Sequence, residues 1–214
     1  NHSLEDLAPC TKLYELNLLC IVIPRVPSWI NHLSVPLLSR LGLHVDAVEV
    51  RDVQTIGRLP SLLELGLWSK DEKNVSYTFG SNEFHKLRIL WTKKIEIAVG
   101  EGALPMLEWL RYSASAERKD AASLVPWRRN SCPLLKDVTC WLDCTNNSYR
   151  EVKEAKQALR QASGTRPNAV YLDLYIEEEN YDVEAGKFID NLEWTLRGLD
   201  RPEDVGRAAA HQEE

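Results

Sequence analysis

Leu62-Leu63-Glu64-Leu65-Gly66-Leu67 carries leucine at its first, fourth and sixth places and leaves the other places variable. The same phrase occurs at Leu13/Leu16/Leu18 and at Leu38/Leu41/Leu43. Weaker copies follow at Leu87/Leu90/Thr92, Leu107/Leu110/Tyr112, Leu135/Val138/Cys140 and Ala169/Leu172/Leu174. The first four copies start 25, 24 and 25 residues apart, and the later steps are 20, 28 and 34. The alternating end of each phrase predicts a short strand. Its fourth and sixth residues face a core, and its third, fifth and seventh face away. One such unit cannot bury its apolar side alone, so the copies must stack on one another.

A period of about 20–29 residues with this phrase is the signature of a leucine-rich repeat. The expected fold is therefore an α/β leucine-rich-repeat solenoid (horseshoe) with about seven parallel strands and irregular outer helices and loops. The segments between strands support it. Pro24 and Pro27 restrict the backbone and remove donors, which suits a return loop, and a short helix is expected to follow near Trp29. Leu59-Pro60, Leu104-Pro105 and Cys132-Pro133 precede three strands at one offset. Two insertions stretch the pattern: Lys70–Asn82, with some strand at Val75–Phe79, and the mixed-charge segment Ser113–Ser131.

Ser148-x-x-Glu151 reads as a capping box and Gly164 as a stop. Val152, Ala155, Leu159 and Ala162 share one face of the helix between them. A second helix is expected over Asp182–Leu199. The domain reading is a solenoid over residues 1–180, a capping helix over 181–200 and a polar tail over 201–214. The first repeat starts with nothing ahead of it to cover its core, so the chain is expected to be a piece of a longer protein.

Net charge is −6, but it is unevenly placed. Ile176–Glu214 holds 12 acidic and 4 basic residues, a net −8, which leaves the repeat body at +2. Neither part has the clustered positive charge of a nucleic-acid binder. No apolar run approaches the length of a membrane span, and no secretory leader pattern is present in the sequence. The five cysteines (Cys10, Cys20, Cys132, Cys140 and Cys144) form no paired framework, which fits a reducing compartment. Cys20 and Cys140 lie on repeat strands and are read as buried thiols. The spacing of Cys132, Cys140 and Cys144, with no histidine near them, is not that of a zinc site, so no metal is expected.

Several stretches then resemble a known family. Leu59-Pro-Ser-Leu-Leu-Glu-Leu-Gly-Leu-Trp68 and Val26-Pro-Ser-Trp-Ile30 resemble the repeats of plant intracellular immune receptors, especially the coiled-coil, nucleotide-binding type abundant in cereals. Leu104-Pro-Met-Leu-Glu-Trp-Leu110 and Val138-Thr-Cys-Trp-Leu-Asp-Cys144 are similar to that group's late repeats, as are the helix Glu151–Gln161 and Arg166-Pro-Asn168 after them. The resemblance covers about residues 1–180. It implies a cytoplasmic receptor whose repeats sense a pathogen effector, or a host protein that an effector modifies. It also implies that the repeats restrain an intramolecular nucleotide-binding domain. No G-x-x-x-x-G-K-[ST] loop is present, so no cofactor is expected in this segment and nucleotide belongs to an upstream domain. The ninth place is Ile21, Asp46, Lys70, Ile95 and Asp143 in five copies, where regular repeats often carry Asn or Cys, so an irregular pitch is expected. The alternatives are the substrate-recruiting repeats of an F-box ubiquitin ligase and a non-signalling scaffold.

Function is expected on the outward strand places. The third places are Glu15, Arg40, Glu64, Ile89, Trp109, Asp137 and Tyr171. The fifth are Asn17, Gly42, Gly66, Trp91, Arg111, Thr139 and Asp173, and the seventh are Leu19, His44, Trp68, Lys93, Ser113, Trp141 and Tyr175. The candidate partner-binding residues among them are Trp68, Trp91, Lys93, Trp109, Arg111, Asp137, Trp141, Tyr171 and Tyr175. Exposed aromatics beside arginine are the composition of binding hot spots. Trp127, Arg128 and Arg129, in the longer insertion, form a candidate loop contact. The five histidines are scattered and none sits in a nucleophile, metal or acid–base arrangement, so the chain is not expected to be an enzyme.

Overall fold

The computed structural model describes residues 4–6, 10–71, 75–116, 124–127, 131–145, 147–164, 171–177 and 195–196. Seven strands form one parallel sheet in the order β1 (Glu15–Ile23), β2 (Arg40–Val45), β3 (Glu64–Ser69), β5 (Ile89–Lys93), β7 (Trp109–Ser115), β8 (Asp137–Asp143) and β9 (Tyr171–Glu177). A two-residue strand, β10 (Thr195–Leu196), adds to β9 antiparallel. Strands β4 (Val75–Phe79) and β6 (Ile95–Val99) pair in a second, parallel sheet. The described helices are α1 (Val50–Gly57), α2 (Tyr149–Gly164) and a single 3-10 turn at Leu4–Asp6.

The register follows the repeat phrase place by place. Leu41, Leu65, Leu90, Leu110, Val138 and Leu172 are partners along the sheet. Just ahead of the strands a backbone ladder runs through every repeat. Tyr14 O accepts from the N–H groups of Ser39 and Arg40, Ser39 O from Leu63 and Glu64, and Leu63 O from Arg88 and Ile89. It continues from Arg88 O to Glu108 and Trp109, and from Glu108 O to Lys136 and Asp137. Stacking thus satisfies backbone groups as well as covering apolar side chains.

The core is built from the phrase residues. The leucines at first, fourth and sixth places of the second to fifth repeats are buried, as are Thr92, Tyr112 and Cys140 at sixth places. Each buried leucine contributes about 2 kcal/mol. At the first repeat Leu13, Leu16 and Leu18 are only partly buried, because among the described residues no strand pairs with β1 on its outer edge. A further regularity lies three residues before the second to sixth phrases. Val35, Leu59, Phe84, Leu104 and Cys132 are all buried there, and Phe84, Leu104 and Cys132 take φ of 54°, 50° and 51°. The chain accepts this strained left-handed turn because it sends an apolar side chain inward just before β5, β7 and β8.

Helix α2 is as the capping box predicts. Ser148 N donates to Glu151 Oε2 at 2.8 Å, and Glu151 N donates back to Ser148 Oγ at 3.3 Å. Val152, Ala155 and Leu159 face the core. Other expectations change. No helix follows Pro27; residues 24–39 form successive turns, held by bonds such as Ile30 N to Pro27 O at 3.0 Å. Helix α1 is missing from the sequence reading, since its capping pair is Glu49 and Asp52, not a serine or threonine box. In β1 the register shifts between Leu18 and Val22, so Val22 and not Leu19 is the partner of His44. Within the expected capping helix, Thr195 and Leu196 are a strand because β9 offers an unpaired edge. The rest of residues 181–200, and the tail 201–214, lie outside the described residues.

Candidate functional site

Alternation along the parallel strands sets the third, fifth and seventh places on the face away from the core. Their pairing is as the phrase predicts: Trp91 with Arg111, Arg111 with Thr139, Thr139 with Asp173, and Trp141 with Tyr175. The face carries a continuous row of rings. His44 meets Trp68 edge-on at 5.6 Å, and Trp68 meets Trp91 edge-on at 4.8 Å. Trp91 stacks on Trp141 at 6.0 Å, and Trp141 stacks on Tyr175 at 5.8 Å.

The row crosses from β2 to β9. It passes over β7 because the seventh place there is Ser113, whose small side chain leaves room for Trp91 and Trp141 to meet. The Ser113 hydroxyl instead accepts from Lys94 N at 2.9 Å. Edge-on and offset-stacked rings at these separations attract one another, so the row is pre-ordered. Arg111 completes it, with its guanidinium carbon 5.7 Å from the Trp91 ring centroid. Trp68 Nε1 is shielded from solvent with no acceptor among the described residues.

The first strands carry a different surface. Leu19 lies over the two fifth-place glycines: a Cβ on Gly42 would come within 3.0 Å of Leu19 Cγ, and one on Gly66 within 3.3 Å of Leu19 Cδ1. Arg40 bridges Glu15 at 3.5 Å and Glu64 at 3.2 Å. Just ahead of the later strands, Glu108 is held by Arg88 at 2.7 Å and Lys136 at 2.9 Å. Hydrogen bonds from Lys136 and Arg88 hold its carboxyl below the usual carboxylate range.

The sequence-predicted residues divide as follows. Trp68, Trp91, Trp141 and Tyr175 share the ring row, and Arg111 joins it. Trp109 is on the same face and 48% exposed, outside the stack. Lys93, Asp137 and Tyr171 are partly buried on that face. Trp127 is not an exposed loop contact: it is 5% exposed and packs edge-on against Tyr112 at 6.1 Å. Its large apolar ring folds the end of the insertion back onto the core, beside Leu124. Arg128 and Arg129 lie outside the described residues. His44 and Leu19 are the members that sequence reasoning left out of the site. The pair of fifth-place glycines was the signal that something must lie across them.

Cys132, Cys140 and Cys144 are buried, whereas Cys20, expected to be buried, is exposed on the edge strand β1. Burial pushes the Cys140 thiol up to about 12. Among the described residues no group of three or more His, Cys, Asp or Glu side chains is placed to hold a metal ion. No described helix is long and apolar enough to cross a membrane.

The model of the family described as "Leucine-rich repeat region" matches residues 1–172. A comparison with curated proteins returns no match.

Proposed function

We propose, from the premise that the chain belongs to the leucine-rich repeat family, that the face bearing the ring row is the recognition surface of an intracellular plant immune receptor. Leucine-rich repeats are protein-interaction modules, typically without catalysis. The observation that carries the assignment to this face is the row from His44 to Tyr175, with Trp109 and Arg111 beside it. A contiguous aromatic surface of this kind marks an interaction site. The partner is a pathogen effector or the host protein it modifies, and at rest the repeats restrain the receptor's own nucleotide-binding domain. In this reading the segment is not an enzyme, binds no cofactor or nucleic acid and works in the cytoplasm. The resemblance of Leu59–Trp68, Leu104–Leu110 and Val138–Cys144 to such receptors supports the plant assignment.

Two experiments test it. The coding sequence upstream should contain a G-x-x-x-x-G-K-[ST] loop in frame; an F-box there would make the chain a substrate-recruiting repeat instead. In the full-length protein, Trp91→Ala with Trp141→Ala should abolish partner-triggered cell death in leaf tissue at unchanged protein abundance. A retained response would overturn the assignment of this face.

A further inference from the structure

Arginines on or just before the strands are mostly neutralised within the chain. Arg40 is tied to Glu15 and Glu64, and Arg88 to Glu108. Among the described residues Arg111 is the exception. It is exposed at the fifth place of β7, and its contact among the described residues is the Trp91 ring. Its neighbours on the face are uncharged: Trp91 and Thr139 across the strands, Trp109 and Ser113 along its own. Lys93 and Asp137 stand one place further off, on the diagonals, with opposite charges. The ring lies against the guanidinium, and among the described residues no acceptor takes its N–H fork. A planar fork of this kind pairs bidentately with a carboxylate, and the apolar rim strengthens the pair by excluding water.

We infer that the partner presents an aspartate or glutamate carboxylate to Arg111, on a segment whose apolar side chains lie along the ring row. This inference rests on the reading of the face as a recognition surface. The part of the row from Trp68 on β3 to Tyr175 on β9 crosses four strand spacings, about 19 Å, which matches about six residues of extended chain. The partner segment is therefore short, acidic at one position and apolar on either side. The carboxylate sits over Arg111, and the flanking side chains meet Trp109 and Trp141.

The test is selection of a random twelve-residue peptide library displayed on phage against the immobilised 214-residue chain. Parallel selections use Arg111→Gln, Arg111→Glu, and Trp91→Ala with Trp141→Ala. Circular dichroism checks that each variant keeps its fold; Arg111 is exposed, so its variants should. Peptides selected on the parent chain should be enriched in Asp or Glu between apolar residues. Synthetic copies should lose at least about tenfold in affinity for Arg111→Gln. Arg111→Glu should select lysine or arginine at the same position. If the selected peptides lack acidic enrichment, or keep their affinity for Arg111→Gln, the carboxylate inference is overturned. Should those peptides still depend on Trp91 and Trp141, the recognition face survives that result. Peptides that bind the double tryptophan variant as well as the parent, or a selection yielding none, would overturn both.

Discussion

At the scale of single residues, two positions expose the cost of irregular repeats. Thr92 takes a sixth place that is leucine in the first three copies, and its hydroxyl is buried with no partner among the described residues. An unsatisfied buried hydroxyl costs about 1–3 kcal/mol. Thr92→Val should therefore raise stability by about 1 kcal/mol, read as a higher urea midpoint at unchanged slope; a lower midpoint would mean that the hydroxyl has a partner. Gly57 ends α1 where a Cβ would lie 2.7 Å from Cε2 of the buried Phe84. Alanine normally improves a helix, but here Gly57→Ala should destabilise the chain by about 1–3 kcal/mol, since the ring has no room to retreat.

The thiols give a third residue-level expectation. At pH 8 Cys10 and Cys20 should react promptly with a disulfide reagent, while Cys132, Cys140 and Cys144 should react only after denaturant is added. Cys140 is neutral in the folded chain up to about 12, against 9.0 when unfolded. Its contribution is fully present below the unfolded value and is lost as pH rises through the folded one. Prompt reaction of a third thiol at pH 8 would contradict the burial of this cluster.

At the scale of elements, the repeat phrase specifies the strands well and the connections poorly. The pairings Arg40–Glu64, Trp91–Arg111 and Trp141–Tyr175 were legible because period-two alternation and a fixed repeat offset leave one register that buries the leucines. The bulge in β1 was not legible, since Leu18-Leu19-Cys20-Ile21-Val22 is apolar throughout and offers no alternation to anchor it. Helix α1 was missed because its cap uses Glu49 and Asp52 and not a serine or threonine, although Val53 and Ile56 share its buried face. The capping box of α2 could be read because Ser148 and Glu151 have the right spacing and the right chemistry. The Trp127 burial belongs to neither signal. A tryptophan between Pro126 and two arginines looks like a surface loop until the Tyr112 ring is known to lie beside it.

At the scale of the whole molecule, stability is shared between neighbours along one axis. Leu65 has a strand on each side and is 2% exposed, whereas Leu16, in the edge strand β1, is only partly covered. Leu65→Ala should cost about 3 kcal/mol, and Leu16→Ala about 1 kcal/mol or less. Equal losses in a denaturant titration would mean that β1 is covered as fully as β3. The same axis organises the aromatic face, because successive repeats contribute one or two side chains and the row exists only when the strands are in register.

The sequence by itself determined the repeat, the register of the strands after β1 and which of their side chains face away from the core, since all three follow from where leucine must be buried. It also placed Trp68, Trp91, Trp141 and Tyr175 on that face. Only the tertiary structure decided that these rings touch across β7, that Arg111 rests on Trp91 with no carboxylate partner among the described residues, and that Trp127 is core. Those facts depend on side chains from strands and loops many residues apart meeting in space, which no local period encodes.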